Sequence, residues 1–186
     1  LLSTSGLDVS GDQTNNDGWQ FRGRSSLAMG KLNKDYFTVG TSPAFFFEVK
    51  FSIADVSGID DLRCGFAKVE AFNANPDALD ELATLAVMSG DIKTQTIINN
   101  ATTVTTDITS GGGDGAGNWA DGATHTFRIN VSAAGVVTYL IDGAAGTGAV
   151  AFTFDDGEVV TPYWFHRHDS DVGGAIVWQE FEFGLQ

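Results

Sequence analysis

The chain is poor in cysteine and in basic residues, and each shortage excludes a class of protein. Among its 186 residues there is one cysteine, Cys64, so no intrachain disulfide forms and a zinc site of cysteine ligands is excluded. Ten lysines and arginines stand against 24 aspartates and glutamates, which gives a formal net charge of −14. Such a chain repels nucleic acid and anionic membranes, so we expect neither as a direct partner. No apolar run approaches the roughly 20 residues that a membrane span needs.

Glycine and phenylalanine are abundant in the chain. Its 23 glycines recur at short intervals, whereas there are only three prolines. This spacing is typical of many short strands joined by turns. Hydrophobic residues make up 42% of the chain and include 14 phenylalanines, which is enough to bury a core. The length suits a single β-sandwich domain.

Alternation of apolar and polar residues indicates strands along most of the chain. The clearest case is the segment 45–53. Its apolar members are Phe47, Val49, Phe51 and Ile53, and the polar residues between them are Glu48, Lys50 and Ser52. A period of two directs one set into the core and the other into water. Asp142-Gly143 is a strong turn signal directly after a later segment of this kind.

One short helix interrupts the predicted strands. Asn75 suits the N-cap, Pro76 suits the first helical position, and Leu79, Leu82 and Ala83 support one or two turns.

These patterns predict an all-β fold. We expect a two-sheet antiparallel jelly-roll sandwich with at most one short helix. Residues 1–35 form an N-terminal arm with the first strands, and residues 36–186 form the sandwich, in a single domain overall. The polar, glycine-rich start of the arm suits a segment that becomes ordered on contact with neighbouring subunits.

Motifs in the last third of the chain resemble those of a known superfamily. They are Asp-Gly-Ala-Thr-His-Thr-Phe-Arg-Ile at 121–129, Gly-Val-Val-Thr-Tyr-Leu-Ile-Asp-Gly at 135–143, Val-Val-Thr-Pro-Tyr-Trp-Phe at 159–165 and Glu-Phe-Glu-Phe-Gly at 180–184. With the earlier strands, they resemble the concanavalin A-like (laminin-G-like) jelly-roll superfamily over about residues 36–184. The resemblance implies a β-sandwich. Its lectin-like members imply glycan binding and calcium held by Asp and Asn oxygens.

A narrower resemblance concerns small structural proteins of tailed bacteriophages. It rests on the Thr-rich segment 102–107, the Asp142-Gly143 turn, the Thr161-Pro162-Tyr163 strand and the ending at 180–184. It implies a virion structural protein, a capsid decoration or cement protein on the outer surface of a phage capsid. The expected partners are the major capsid protein, further copies of the chain as a homo-oligomer, and a host-surface glycan. The alternative function is a carbohydrate-binding, lectin-like module.

Trp119 is the predicted contact for a sugar or partner. It lies in a Gly- and Asp-rich stretch, where an exposed ring is expected, and Asp114, Asn118 and Asp121 surround it. These oxygens, and those of a second cluster at residues 12–17, could hold calcium, although neither cluster fits an EF-hand loop. We otherwise expect no cofactor. Ordinary polar loops are the alternative explanation for both clusters.

His166 and His168 are a candidate metal site. Alternate residues of a strand share one face, and Asp169 follows as a third ligand. A polar strand end is the alternative explanation.

Residues for catalysis are scarce. Glu180 and Glu182 alternate on the last strand and could imitate the paired carboxylates of a glycoside hydrolase, but we interpret them as the solvent face of an edge strand. The chain contains no Gly-x-Ser-x-Gly motif and no phosphate-binding loop. Cys64 is expected to be a small buried hydrophobe. We therefore predict that the protein is not an enzyme.

Overall fold

The computed structural model describes residues 2–3, 6–8, 18–22, 36–108, 118–168 and 175–186. Within them the chain forms antiparallel strands and two 3₁₀ turns, Val56–Gly58 and Pro76–Ala78, but no α-helix. The strands in chain order are β1 (Leu2–Ser3), β2 (Gly6–Asp8), β3 (Gly18–Arg22), β4 (Phe37–Thr38), β5 (Phe45–Ile53), β6 (Ile59–Lys68), β7 (Leu82–Met88), β8 (Asp91–Ile97), β9 (Val104–Asp107), β10 (Thr124–Val131), β11 (Val136–Ile141), β12 (Ala144–Ala145), β13 (Phe152–Thr153), β14 (Val159–His168) and β15 (Ile176–Leu185).

These strands form two sheets. Sheet I has the order β1-β2-β15-β5-β10-β11-β12, with β13 beside β11. Sheet II has the order β3-β14-β6-β7-β8-β9, with β4 beside β14. Neighbouring strands are often far apart in sequence, as with β5 and β15, so the chain crosses repeatedly between the sheets. This is the predicted all-β, two-sheet jelly roll, and the fold-class prediction is confirmed.

The core lies between the two sheets and is rich in aromatic rings. The alternate residues of β5 that the sequence assigned to the core are fully buried. The Phe45 ring meets Phe66 edge to face at 5.1 Å, and the Phe51 ring meets Trp164 at the same distance. Cys64 is buried among them, and burial raises the pKa of its thiol. Each such apolar side chain contributes about 1.5–3 kcal/mol by leaving water.

The predicted helix is shorter than expected. Asn75 caps it as predicted, because its side chain accepts a hydrogen bond of 3.1 Å from the backbone of Asp77. The turn ends at Ala78, and Leu82 and Ala83 belong to β7. Strands β6 and β8 pair with β7 on both sides and satisfy its backbone groups, so the helical spacing of its leucines is overridden.

Part of the N-terminal region belongs to the sandwich. Strand β2 pairs with β15 of sheet I, and β3 pairs with β14 of sheet II. The boundary at residue 35 stays a prediction, and the oxygen cluster at residues 12–17 lies outside the described residues. Among the described helical turns, none has the length and apolarity to cross a membrane.

Candidate functional site

The side of sheet II that points away from sheet I is largely buried and carries many polar side chains beside a small apolar cluster of Ala67, Leu79, Leu82, Ile97, Tyr163 and Phe165. In β6 the alternate residues Leu62, Cys64 and Phe66 point into the core. Asp61, Arg63 and Gly65 lie between them in sequence and therefore lie on the opposite side of the sheet. We call this second side the outer face of sheet II. An outer face of a sandwich is normally wet.

Strand register places many of the polar side chains of this face in two rows that cross the sheet. The first row is Arg22, Tyr163, Gly65, Thr84, Gln95 and Thr105. The second row is Gln20, Phe165, Arg63, Ala86, Lys93 and Asp107. Each row therefore mixes hydrogen-bonding groups with small or aromatic side chains.

Arg63 is the most buried charge of the outer face. Only 2% of its surface is exposed, and its guanidinium binds Asp61 through Nε at 2.9 Å and through Nη2 at 2.6 Å. Nη2 also reaches Asp77 at 2.8 Å, and Asp77 accepts a further hydrogen bond from Thr103. Burial opposes the charge of Arg63, but the two carboxylates outweigh burial and raise its pKa. This network ties the segments 70–80 and 98–103 to the sheet.

Tyr163, Gln20 and Arg22 form a second polar group at the β3 edge of the face. The Gln20 amide donates to the Tyr163 hydroxyl at 3.0 Å, and the guanidinium carbon of Arg22 lies 5.5 Å from the centre of the Tyr163 ring. Burial raises the pKa of Tyr163, so the hydroxyl keeps its proton at neutral pH. Burial also lowers the pKa of Arg22, although an arginine stays charged.

Several polar atoms of this face are buried and have no hydrogen-bond partner among the described residues. They are Gln20 Oε1, all three guanidinium nitrogens of Arg22, Arg63 Nη1 and Gln95 Oε1. Most buried polar groups in proteins are paired, and an unpaired one costs about 1–3 kcal/mol. A concentration of unpaired groups on one face is therefore a candidate ligand site.

An open pocket of about 170 Å³ adjoins this group. Its lining residues are Gly18, Trp19, Gln20, Phe72, Ala74, Phe165 and Arg167. Phe72 is 74% exposed, the highest value among the large exposed hydrophobic side chains of the described residues. Arg167 binds Asp60 through Nε at 2.6 Å. The pocket thus combines an exposed aromatic ring with a buried amide acceptor.

Trp119 is not the exposed ring that the sequence predicted. It is 2% exposed and packs against Phe51 at 4.6 Å and His125 at 4.5 Å between ring centres. Its Gly- and Asp-rich neighbours suggested a loop, but the ring folds into the core because burial of an indole is strongly favourable. Ligand contact at Trp119 stays a prediction, and it requires a ring face that this structure does not expose.

The two described neighbours of Trp119, Asn118 and Asp121, make local backbone contacts. Asn118 is exposed and forms an isolated bridge with Asp91. Asp121 accepts a hydrogen bond from the backbone of Val56 at 2.9 Å, so it acts within a turn. Asp114 lies outside the described residues.

The candidate metal ligands His166 and His168 do share one face, as predicted. That face points into the core, and the two rings lie 5.5 Å apart. Burial and the neighbouring His168 lower the pKa of His166 to about 3, so it is neutral at physiological pH. Asp169 lies outside the described residues. Across the described part of the chain, no cluster of three or more His, Cys, Asp or Glu is arranged to hold a metal ion.

Glu180 and Glu182 lie on the exposed outer side of sheet I, as expected for a solvent face. Glu180 pairs with Lys50 at 3.3 Å, and the Glu180 side chain is 69% exposed. The register places Glu182 opposite Glu48, so the strand offers a charged surface to water. Neither residue meets a pocket lined by the groups described above.

Comparisons with solved structures place the fold among concanavalin-like jelly rolls. The potassium-bound carbohydrate recognition domain of Emp46p matches with a TM-score of 0.61 and 8% identity, over 91% of this chain and 79% of that one. A variant of the family 7 alginate lyase A1-II′ in complex with its product matches with a TM-score of 0.55 and 11% identity, over 98% and 77%. An alginate lyase from Pseudomonas aeruginosa matches with a TM-score of 0.50 and 15% identity, over 80% and 68%. No protein-family model and no curated protein matches the chain.

The comparisons correct one prediction and support another. The prediction that the protein is not an enzyme is wrong, because the fold is shared with several alginate lyases. It rested on the absence of familiar catalytic motifs, and a sheet face can assemble a site from scattered strands without one. The superfamily resemblance is confirmed for the fold.

The residues of the outer face escaped sequence reasoning. Arg63 sits in a strand where polar and apolar residues alternate, and alternation predicts that a polar residue faces water. Gln20, Arg22 and Gln95 lie in three different strands and meet only through register. One signal was present: Arg63 and Asp61 are opposite charges two residues apart, and they share a face because the strand begins at Ile59 rather than at Leu62 as its pattern predicts.

Proposed function

We propose that this chain is a carbohydrate-binding domain that holds a glycan along the outer face of sheet II, beside Phe72. The observation that carries the proposal is the exposed Phe72 ring next to the buried, unpaired Oε1 of Gln20. A sugar has an apolar ring face and a rim of hydroxyls. Phe72 suits the ring face, and Gln20 Oε1 accepts a hydroxyl proton.

The geometry of Gln20 favours this role. Its Nε2 already donates to Tyr163, which fixes the amide, and Gln20 is one of the residues that line the pocket. A ligand hydroxyl at this atom removes an unpaired acceptor, so binding gains more than an ordinary exchange of hydrogen bonds with water. Similarity of fold to the Emp46p carbohydrate recognition domain supports the class of function.

A glycan array followed by titration calorimetry tests the proposal. Wild-type protein is expected to bind at least one glycan saturably, and Phe72→Ala is expected to weaken binding about tenfold or more by removing the aromatic surface. Val136→Ala is the matched control, because Val136 is an exposed apolar residue of sheet I. Equal loss in both variants, or no bound glycan, contradicts the proposal.

Glycan cleavage at the same face is a second candidate. It is favoured by the Tyr163 hydroxyl, which keeps its proton, accepts from Gln20 and lies near two arginines. Once a ligand reaches this buried hydroxyl, the hydroxyl can deliver a proton to the leaving oxygen while a water attacks the sugar carbon, and the proton released by that water restores the Tyr163 hydroxyl. The assay is product formation from alginate and related polysaccharides, with Tyr163→Phe as the inactive variant. The chain's histidines, His125, His166 and His168, are all buried on the core side, so they take no part in this candidate.

Capsid decoration remains a proposal that rests on short motifs alone. It includes the major capsid protein and further copies of the chain as partners, and the virion as location. The structures named above include no capsid protein. Cosedimentation of the chain with phage capsids tests it, and a chain that stays free in the supernatant contradicts it. Calcium binding likewise stays a prediction, to be measured by calorimetry with calcium.

A further inference from the structure

We propose that the glycan held at this face is acidic and that Arg22 receives its carboxylate. The inference rests on the proposed function and names the chemical class of its ligand. Every other lysine and arginine of the described residues has a carboxylate partner within 4 Å. Those partnered residues are Lys50, Arg63, Lys68, Lys93, Arg128 and Arg167.

Arg22 is different in having a cation without a counterion. All three guanidinium nitrogens are shielded from water, and none has a hydrogen-bond partner among the described residues. The Glu70 carboxylate is close enough to favour the charge of Arg22, but its Oε1 accepts from the backbone of Asp80 at 3.0 Å. Removing a charge from water without a partner is unfavourable, so a site of this kind favours an anion.

The planar shape of the Arg22 guanidinium favours a carboxylate over other anions. A guanidinium presents parallel N–H donors in a plane, which match the two oxygens of a carboxylate. The hydroxyl of Tyr163 and the amide of Gln20 lie on the same face, so the neutral hydroxyls of the same sugar also find partners.

The position of Arg22 connects it to the pocket. Arg22 and Gln20 are two residues apart in β3, so their side chains leave the same face roughly 7 Å apart. Gln20 lines the pocket beside Phe72. A glycan stacked on Phe72 therefore extends toward Arg22. The guanidinium makes no hydrogen bond to the described residues, so a carboxylate that reaches it displaces no hydrogen-bonded partner.

The net charge of −14 does not prevent this contact. At physiological ionic strength the screening length is about 8 Å, so distant carboxylates repel the ligand weakly. A direct pairing with Arg22 lies well inside that length.

Calorimetry with paired probes tests the inference. The probes are oligogalacturonate and oligoglucuronate fragments, each compared with its methyl ester, which has the same size without the charge. Wild-type protein is expected to bind at least one acid form about 10- to 100-fold more tightly than its ester. Arg22→Gln is expected to lose that preference and keep the affinity for the ester. Arg22→Lys is expected to keep part of it, because a lysine retains the charge without the fork.

Two controls separate failure of the inference from failure of the proposed function. Arg128→Gln removes a cation from the outer side of sheet I and is expected to leave the preference unchanged, with thermal unfolding confirming that each variant is folded. Equal wild-type affinity for acid and ester, or a preference that survives in Arg22→Gln, overturns the inference while the proposed function stands. A wild-type protein that binds no glycan of an array overturns both.

Discussion

The outer sides of the two sheets carry similar polar residues, but the ion pair of Arg63 with Asp61 on sheet II is more deeply buried than the ion pairs on sheet I. On sheet I Lys50 pairs with the exposed Glu180 at 3.3 Å, and the half-buried Arg128 and Glu48 pair at 3.0 Å. On sheet II Arg63 is almost fully buried and pairs with Asp61 and Asp77. An exposed pair contributes about 0–1 kcal/mol, whereas breaking a buried pair costs about 3–5 kcal/mol. The same residue types therefore form a solvated surface on one side and a buried ion-pair network on the other.

Arg63→Ala should show the largest difference between the two faces. It leaves Asp61 buried without a partner, and we expect the free energy of unfolding to fall by about 3–5 kcal/mol. The matched change on sheet I, Arg128→Ala, should cost less than about 1 kcal/mol. Urea unfolding of both variants measures the comparison. Equal costs would show that the outer face of sheet II is wet in solution.

Glu81 makes the stability of the protein depend on pH. Its side chain is buried, and both carboxylate oxygens lack a hydrogen-bond partner among the described residues. Burial, with the nearby Glu158 and Asp155, raises the pKa of Glu81 from 4.5 to about 7. The folded protein therefore holds this proton more tightly than the unfolded chain. The contribution of Glu81 to stability is complete below pH 4.5 and is lost as the pH rises to about 7.

Glu81→Gln should remove the loss of stability that follows ionisation of Glu81. At pH 8 we expect the variant to be more stable than wild type by roughly 2–3 kcal/mol, with a much smaller difference at pH 4.5. Urea unfolding at the two pH values measures it. Glu180→Gln on sheet I is the control and should change stability by at most about 1 kcal/mol at either pH. A Glu81 variant that is destabilised at pH 8 would contradict the assignment.

Tyr163→Phe should have a smaller effect on stability. It removes the hydroxyl that accepts from Gln20, and we expect a loss of about 1 kcal/mol. Tyr139 is a matched control in sheet I, because its buried hydroxyl has no partner among the described residues. Tyr139→Phe should be neutral or stabilising. Thermal unfolding compares the two, and equal effects would argue that the Gln20 contact is weak.

Strand alternation predicted the fold because it depends on local chemistry. Phe47, Val49 and Phe51 are buried wherever β5 lies, since an apolar set on one side of a strand must leave water. The short helix was over-extended for the opposite reason. Leu82 and Ala83 follow the helical cap, but pairing with two distant strands decides their conformation.

The sequence by itself determined that this protein is an acidic β-sandwich without disulfides, and which side chains form its core. Only the tertiary structure decided which polar side is covered. The register of six strands brings Arg22, Tyr163 and Gln95 into one row, and the contacts of Asp77 with Arg63 and Thr103 hold two segments against the sheet. Alternation separates polar from apolar residues, but it carries no information on what later packs over the polar side. Trp119 was misplaced for the same reason, because its burial depends on Phe51 and His125.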